Sequence, residues 1–397
     1  MKQLGVIRVM IPILLPPKLK SRPAGHWLSV AAVLCVCSLF VGAMSAQEPK
    51  RAEEAAFTIV NIPAAATGAH EGTLAESINA SGTIAGNYWD TSDISHGWVR
   101  AASGAIRTFS FVGAGTGPGQ GTGGCFGINA VGDVAANYID GNGASHGLLR
   151  LANGTLESFD PPGAGTIGGQ GTTPYGINSS LTISGQDIDG NGNYHGFLRA
   201  AGGAFTIVNG PDAAQTILVG INTTGATVGT YTNANDVFFG LIRAANGTLT
   251  SFSAPGAGSG GNEGTVAWDI NDSGAVTGWY ADDNLAYHGF VRAANGTVTI
   301  FDAPGAGTGK YLGTFPFSIS PTGVVAGGYT DANNVGHGFI RFTDGAITTF
   351  EAPGAGGGSG QGTIGGFEMP NIINAAGQVV GYFLDSSDVY HAFLRTP

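Results

Sequence analysis

Charge, cysteine and helical periodicity are all scarce in this sequence, and each scarcity excludes something. Charged residues are 11% of 397 positions beside 43% hydrophobic ones, a balance that a disordered chain does not have. With 69 glycines and few apolar runs at helical spacing, a helical protein is excluded as well. Of three cysteines, Cys35 and Cys37 precede position 46, so the remainder carries Cys125 alone and no internal disulfide. The fold must stand on packing, and Cys125 reads as a small buried hydrophobe rather than a nucleophile. Basic residues are short too. Five of the 16 Lys/Arg lie before position 46 with no acid among them, which leaves 11 against 27 Asp/Glu, a net charge of −16. That balance argues against a nucleic-acid partner. G-x-S-x-G, P-loop and dinucleotide fingerprints are missing; the Gly-x-Gly runs lie between strands with no helix after them.

What is present begins with an N-terminal leader. Lys18, Lys20 and Arg22 precede an apolar run from Trp27 to Gly42, followed by small residues. The run is short for a membrane span, so residues 1–46 read as a secretory signal cleaved near Ser45 or Ala46. No small residue stands just before Cys35 or Cys37, which argues against a lipoprotein signal. The expected organisation is a signal at 1–46, a short linker at 47–56 and one domain at 57–397, with no membrane span in the mature chain.

That domain repeats. An H-G-x-x-R strand recurs with its Arg at Arg100, Arg150, Arg199, Arg243, Arg292, Arg341 and Arg395, a period of about 49 residues in seven copies. Each copy reads as four short strands, here a to d: GTVAWDIN, AVTGWYAD, HGFVR and VTIFDAP in the fifth. Asn-Gly turns at Asn153, Asn246 and Asn295 join c to d and account for the NGT triplets without glycosylation. Four strands per unit of this length is the mark of a β-propeller blade. The chain starts with a lone strand d at Phe57 and ends on a strand c at Pro397. The first strand can therefore complete the last blade and close a seven-bladed, all-β ring; a β-solenoid, which needs no such offset, is the alternative.

The H-[AG]-F-x-R strand, the GIN turn and the Y-x-D loop resemble the HAF-repeat family of probable extracellular repeat proteins, with His391-Ala392-Phe393 spelling its motif. The other copies read His-Gly. The resemblance covers about Phe57 to Pro397 and implies export and a repeat architecture, with no activity to carry over.

The Asp or Asn after strand b precedes the strand-c position of His96, His146, His195, His288, His337 and His391 by six residues in every copy, while the five residues between vary. The fourth copy has Phe239 instead of His. Constant length with free contents suits a hairpin better than a site. The Asp is expected to hold the loop amides, the His to bond across the hairpin mouth, and the Arg to form a polar ladder with Asp160, Asp302 or Glu351 on the next strand.

Function, on this reading, lies in loops. The d–a connections enter strand a through a polar-Gly-Thr triplet at Glu71, Gln120, Gln170, Glu263 and Gln361, with Gln215-Thr216 in the short fourth connection and Leu312 breaking the series. These would ring the channel mouth, where Tyr175, Trp268 and their neighbours could stack on a sugar or peptide. Asp187, Asp189, Asn191 and Asn193 alternate as calcium ligands do, but Leu198 stands where the loop would need a twelfth-position Glu. No other cofactor is expected. The expectation is an exported, monomeric, non-enzymatic binding or scaffold module for carbohydrate or a protein. The alternatives are a glycosidase or lyase using Glu71 and Glu263, and a purely structural surface protein.

Overall fold

The computed structural model describes residues 55–364 and 369–397. The expected signal, most of the linker, and Gly366 of the insertion in the seventh copy lie outside the described residues.

The described chain is all-β: 28 short strands in repeated four-strand antiparallel units. In unit 1 they are a (Thr73–Ile78), b (Ile84–Trp89), c (Ser95–Arg100) and d (Ile106–Phe109). Strands a and b are buried almost throughout and d is largely exposed, so each unit runs from the core outward. The lone first strand (Ala56–Val60) pairs antiparallel with the last (Tyr390–Thr396), from Ala56 opposite Thr396 to Val60 opposite Ala392. It supplies the fourth strand of the last unit, as the offset of the repeats predicts.

A second closure runs through the residue ending strand a. Asn79 donates its side-chain amide to the carbonyl of Asn129, Asn129 to Asn178, Asn178 to Asn222, Asn222 to Asn271, and Asn271 to Ser320, at 3.0–3.3 Å. Ser320 has no side-chain amide to pass on, so the belt has a gap before unit 7, and Asn374 then donates to Asn79 at 3.1 Å across the seam of units 7 and 1. A solenoid has ends; here the last unit bonds the first, which is the geometry of a propeller.

Inside the belt, one hydrophobic cluster draws on all the units. Phe126, Tyr175, Trp268, Phe315 and Phe317 come from strands a of four of them. Tyr175 lies 6.4 Å from Trp268 although a whole unit separates them in sequence. Each such ring contributes roughly 1.5–3 kcal/mol on burial. The extra residues of unit 7 also point inward: the Asn371 carbonyl accepts the N–H of Ile78 in unit 1 at 2.9 Å, and its backbone bonds the buried Asp269 of unit 5.

Candidate functional site

The repeated hairpin mouth is built from the loop upward. In unit 1 the Asp90 carboxylate accepts the N–H groups of Ser92 and Ile94 at 2.8 and 3.1 Å, and Asp140, Asp189, Asn233, Asp282, Asp331 and Asp385 do the same in their units. The fourth loop residue must be left-handed: Asp93, Asp236, Leu285, Asn334 and Asp388 have φ of 57–61°, and Gly143 and Gly192 take that place elsewhere. This turn fixes the loop length. Burial pushes the carboxyls of Asp90, Asp140, Asp282, Asp331 and Asp385 up, but hydrogen bonds from the loop amides, with His beside them, outweigh it and hold them below their ordinary range.

The His ring fills the mouth. His96 Nε2 lies 3.1 Å from Asp90 and its Nδ1 2.7 Å from Ser110 on strand d. His146 Nδ1 meets Asp160 at 2.7 Å, His195 meets Asn209 at 3.2 Å, His288 meets Asp302 at 2.9 Å, His337 meets Glu351, and His391 meets Asn61 at 3.1 Å. The bond to Asp302 raises His288 above the ordinary imidazole value against the pull of burial. Asp160, Asp302 and Glu351 thus belong to the His, not to the Arg as the sequence suggested. Register decides this: Gly147 pairs with Phe159, which sets His146 opposite Asp160 and leaves Arg150 at the turn end opposite Leu156. The Arg side chains instead cover strand-d rings of the preceding unit, Arg150 over Phe109, Arg199 over Phe159, Arg292 over Phe252, Arg341 over Phe301 and Arg395 over Phe350, at 4.7–5.2 Å. Arg199 adds an ion pair to Glu157. Arg243 bonds the carbonyl of Ala244 in its own turn, and Arg100 ends strand c of unit 1 half-buried.

The channel-mouth series is tied to its own loops. Glu71 accepts the N–H of Gly68 at 3.0 Å, Gln120 that of Gly117 at 2.8 Å, Glu263 that of Gly260 at 2.6 Å and Gln361 that of Gly358 at 3.0 Å. The amides of Gln120 and Gln170 donate to Gly141 and Gly190, and that of Gln361 to Asp388, so d–a and b–c loops do share one face. Gln215 is exposed at the start of its strand a, opposite Thr232. The Thr of the triplet has its own task, which spacing alone did not reveal: Thr122, Thr265, Thr314 and Thr363 accept the N–H of the residue 11 positions earlier at 2.8–2.9 Å. Tyr175 is fully buried and Trp268 is 2% exposed, so neither offers a ring face to a ligand at the surface.

Of the calcium candidates Asp187, Asp189, Asn191 and Asn193, the last three are tied to one another within the loop. Asp189 spends one oxygen on the N–H groups of Asn191 and Asn193 and the other on the Asn193 amide and His195, and these bonds hold its carboxylate well below the usual range. Asn193 presents N–H, not oxygen, to that carboxylate. Among the described residues no group of three or more His, Cys, Asp or Glu is placed to hold a metal.

Two buried carboxyls escaped the sequence reading. Glu76 is 2% exposed on strand a of unit 1 and accepts the N–H of Cys125 at 2.6 Å; burial raises it to about 8 despite that bond. Asp269 is 3% exposed and accepts from Ser318 and Ile319 at 3.0 and 2.9 Å; burial raises it to about 6 against those bonds. Both staple one unit to the next.

No family model and no curated protein matches the chain. Among solved structures it is similar to puromycin hydrolase, with 10% identity and a TM-score of 0.51 over 82% of this chain and 51% of that one. It is also similar to the β-propeller domain of the Trilobed protease from Pyrococcus furiosus (9% identity, TM-score 0.49, covering 81% and 94%). A third similarity is to BP39L lectin from Burkholderia pseudomallei (9%, 0.48, 83% and 96%). The chain spans about half the length of puromycin hydrolase. At this identity the likeness shows the fold alone, and the HAF-repeat resemblance rests on the motifs quoted above.

Proposed function

We propose that the chain is an exported, seven-bladed β-propeller that works without catalysis, as a binding or scaffold module for carbohydrate or a protein. One observation carries this reading. The side chains best suited to chemistry, the repeated His and Asp, are spent within each hairpin on one another and on strand d. A catalytic site needs a constellation that differs from its copies and keeps a group available to substrate. Apart from units 3 and 4, these mouths are alike and internally occupied. The leader at 1–46, with its basic residues and apolar run, supports export.

A glycan array probed with the purified protein, with and without calcium, tests the carbohydrate arm. Selective binding that is lost on replacing Gln120 and Glu263 with Ala would support it and place the site at the channel mouth. Uniform silence in both conditions would remove sugars as the ligand and leave a protein partner or a structural role. Turnover of a polysaccharide by the protein would overturn the non-catalytic reading.

A further inference from the structure

Unit 3 breaks the repeat at one position. Opposite the strand-c His or Phe, the other units place a ring: Tyr88 on His96, Tyr138 on His146, Tyr231 on Phe239, Tyr280 on His288, Tyr329 on His337 and Phe383 on His391. The rings stack with centroids 4.7–5.2 Å apart. In unit 3 the residue paired with His195 is Asp187. A ring has been exchanged for a carboxyl in an otherwise constant frame.

Three observations show what the exchange leaves behind. First, in units 5, 6 and 7 the outer side of the ring is covered by the Pro-Gly turn of the preceding connection. A Cβ at Gly256 would meet the Tyr280 hydroxyl at 3.2 Å, at Gly305 that of Tyr329 at 3.5 Å, and at Gly354 the Phe383 ring at 3.5 Å. At Gly163, the matching position before unit 3, it would meet nothing within 4 Å. Second, the His195 side chain is 31% exposed, against 18–24% for the other five His of the series. Third, Asp187 is only 2% exposed, yet its Oδ1 has no hydrogen-bond partner. A buried carboxylate oxygen without a donor costs on the order of 1–3 kcal/mol or more. Its neighbours supply none: Asp189 and Asp160 are themselves acceptors, and His195, His146 and Thr172 are directed to those two carboxylates.

The missing group can be described from its surroundings. It must be thin, because it fits between an imidazole face and a Pro-Gly turn where one ring fits elsewhere. It must carry N–H donors on its edge for Asp187. A positive charge suits it, since burial, with Asp189 and Asp160 beside it, holds Asp187 up to about 6 against the opposing pull of His195. A metal ion would need oxygens that Asp189 has already spent. An alkylammonium has no flat face for His195. We propose that unit 3 carries a guanidinium slot, in which Asp187 Oδ1 accepts the edge N–H groups and the His195 ring stacks on the plane. The slot stands independently of the scaffold reading above.

The test is an amide NMR titration of the purified full chain with methylguanidinium chloride and, separately, with the tripeptide Gly-Arg-Gly. Saturable shifts centred on Gly163 and His195 are expected. Asp187→Tyr restores the ring of the other units, so it is expected to fold like the parent and to abolish the shifts. Asp187→Asn keeps the shape but not the charge and is expected to weaken binding about tenfold or more; it carries the test if the Tyr variant fails to fold. Tighter binding of the tripeptide would point to an arginine side chain of a protein partner, and equal binding to a free guanidino compound; both support the slot. Shifts that persist in Asp187→Tyr, no saturable response to either probe, or equal binding of methylammonium or calcium would overturn it.

Discussion

Asn374 donates its side-chain amide to the backbone carbonyl of Asn79, 295 positions away, and joins the last unit to the first. The same side chain accepts the N–H groups of Ala376 and Gln378 in its own turn, so one residue both shapes a hairpin and ties the last unit to the first. Asn374→Ala leaves these buried groups without partners and should destabilise the protein by about 1–3 kcal/mol. Asn374→Ser should cost less, because Ser320 already fills this place in unit 6 and its hydroxyl accepts the N–H of Val324 at 3.0 Å. Urea denaturation of the two variants checks the order. Equal stabilities would mean that the belt contributes nothing beyond the strands.

Glu76 makes stability depend on pH. Burial lifts its folded pKa from 4.5 to about 8. A raised carboxyl contributes stability that is fully present below the unfolded value and is lost as pH climbs through the folded one. Between those values only the unfolded chain ionises, and each pH unit costs up to about 1.4 kcal/mol, roughly 5 kcal/mol in all as an upper bound. Asp269, raised to about 6 from 3.8, acts in the same direction over a lower window. Glu76→Gln keeps an oxygen for the Cys125 N–H but cannot ionise. It should match the parent near pH 4 and exceed it by about 2–4 kcal/mol at pH 9. Denaturation midpoints at the two pH values decide it; parallel curves would show that Glu76 is solvated in the folded state.

Unit 4 replaces a pair rather than a residue. Where its neighbours have Asp and His, it has Asn233 and Phe239, and Phe239 still stacks on Tyr231 at 5.2 Å. Phe239→His alone would set an imidazole beside an amide and should cost about 1 kcal/mol, whereas adding Asn233→Asp should recover at least half of that. A double-mutant cycle reads the coupling. Additive effects would deny that the Asp–His contact stabilises the mouth.

Much of this was legible in the sequence because a repeat aligns itself. Period, strand order and the offset that pairs Ala56–Val60 with the last strand follow from seven copies laid side by side. Partner choice was not legible. That Asp160 serves His146 and not Arg150 depends on a register that a Gly-rich strand pattern does not fix. Asp187 read as one ligand of an acidic loop because its spacing to Asp189 was visible, whereas its alignment with Tyr138 and Tyr280 became visible only through cross-strand pairing. Glu76 looked like any polar residue in a strand, since burial at the axis is a property of the closed ring.

The seam between units 3 and 4 should be where the ring opens first. At the other described seams a glycine starts strand a and bridges the preceding strand c: Gly72 to Tyr390, Gly121 to Ser95, Gly171 to Ser145, Gly264 to Phe238, Gly313 to Tyr287 and Gly362 to Gly336. These glycines have φ of 103–139°, and a Cβ on Gly264 would come within 2.2 Å of the Phe238 carbonyl oxygen. Only glycine permits so close an approach. Unit 4 starts with Gln215, and among the described residues the two hydrogen-bonded sheets part there; they also part between units 7 and 1, but that seam keeps the Gly72–Tyr390 bridge and the seam of units 3 and 4 has none. Local opening tracks the number of backbone bonds that must break. Hydrogen exchange under native conditions should therefore be faster in Tyr194–Arg199 and Gln215–Ile221 than in Phe238–Arg243 and Gly264–Ile270. Gly264→Ala should create a second weak seam between units 4 and 5 and lower stability by about 2 kcal/mol or more. Uniform exchange around the ring in the parent protein would mean that packing between strands, and not the glycine bridge, sets where it opens.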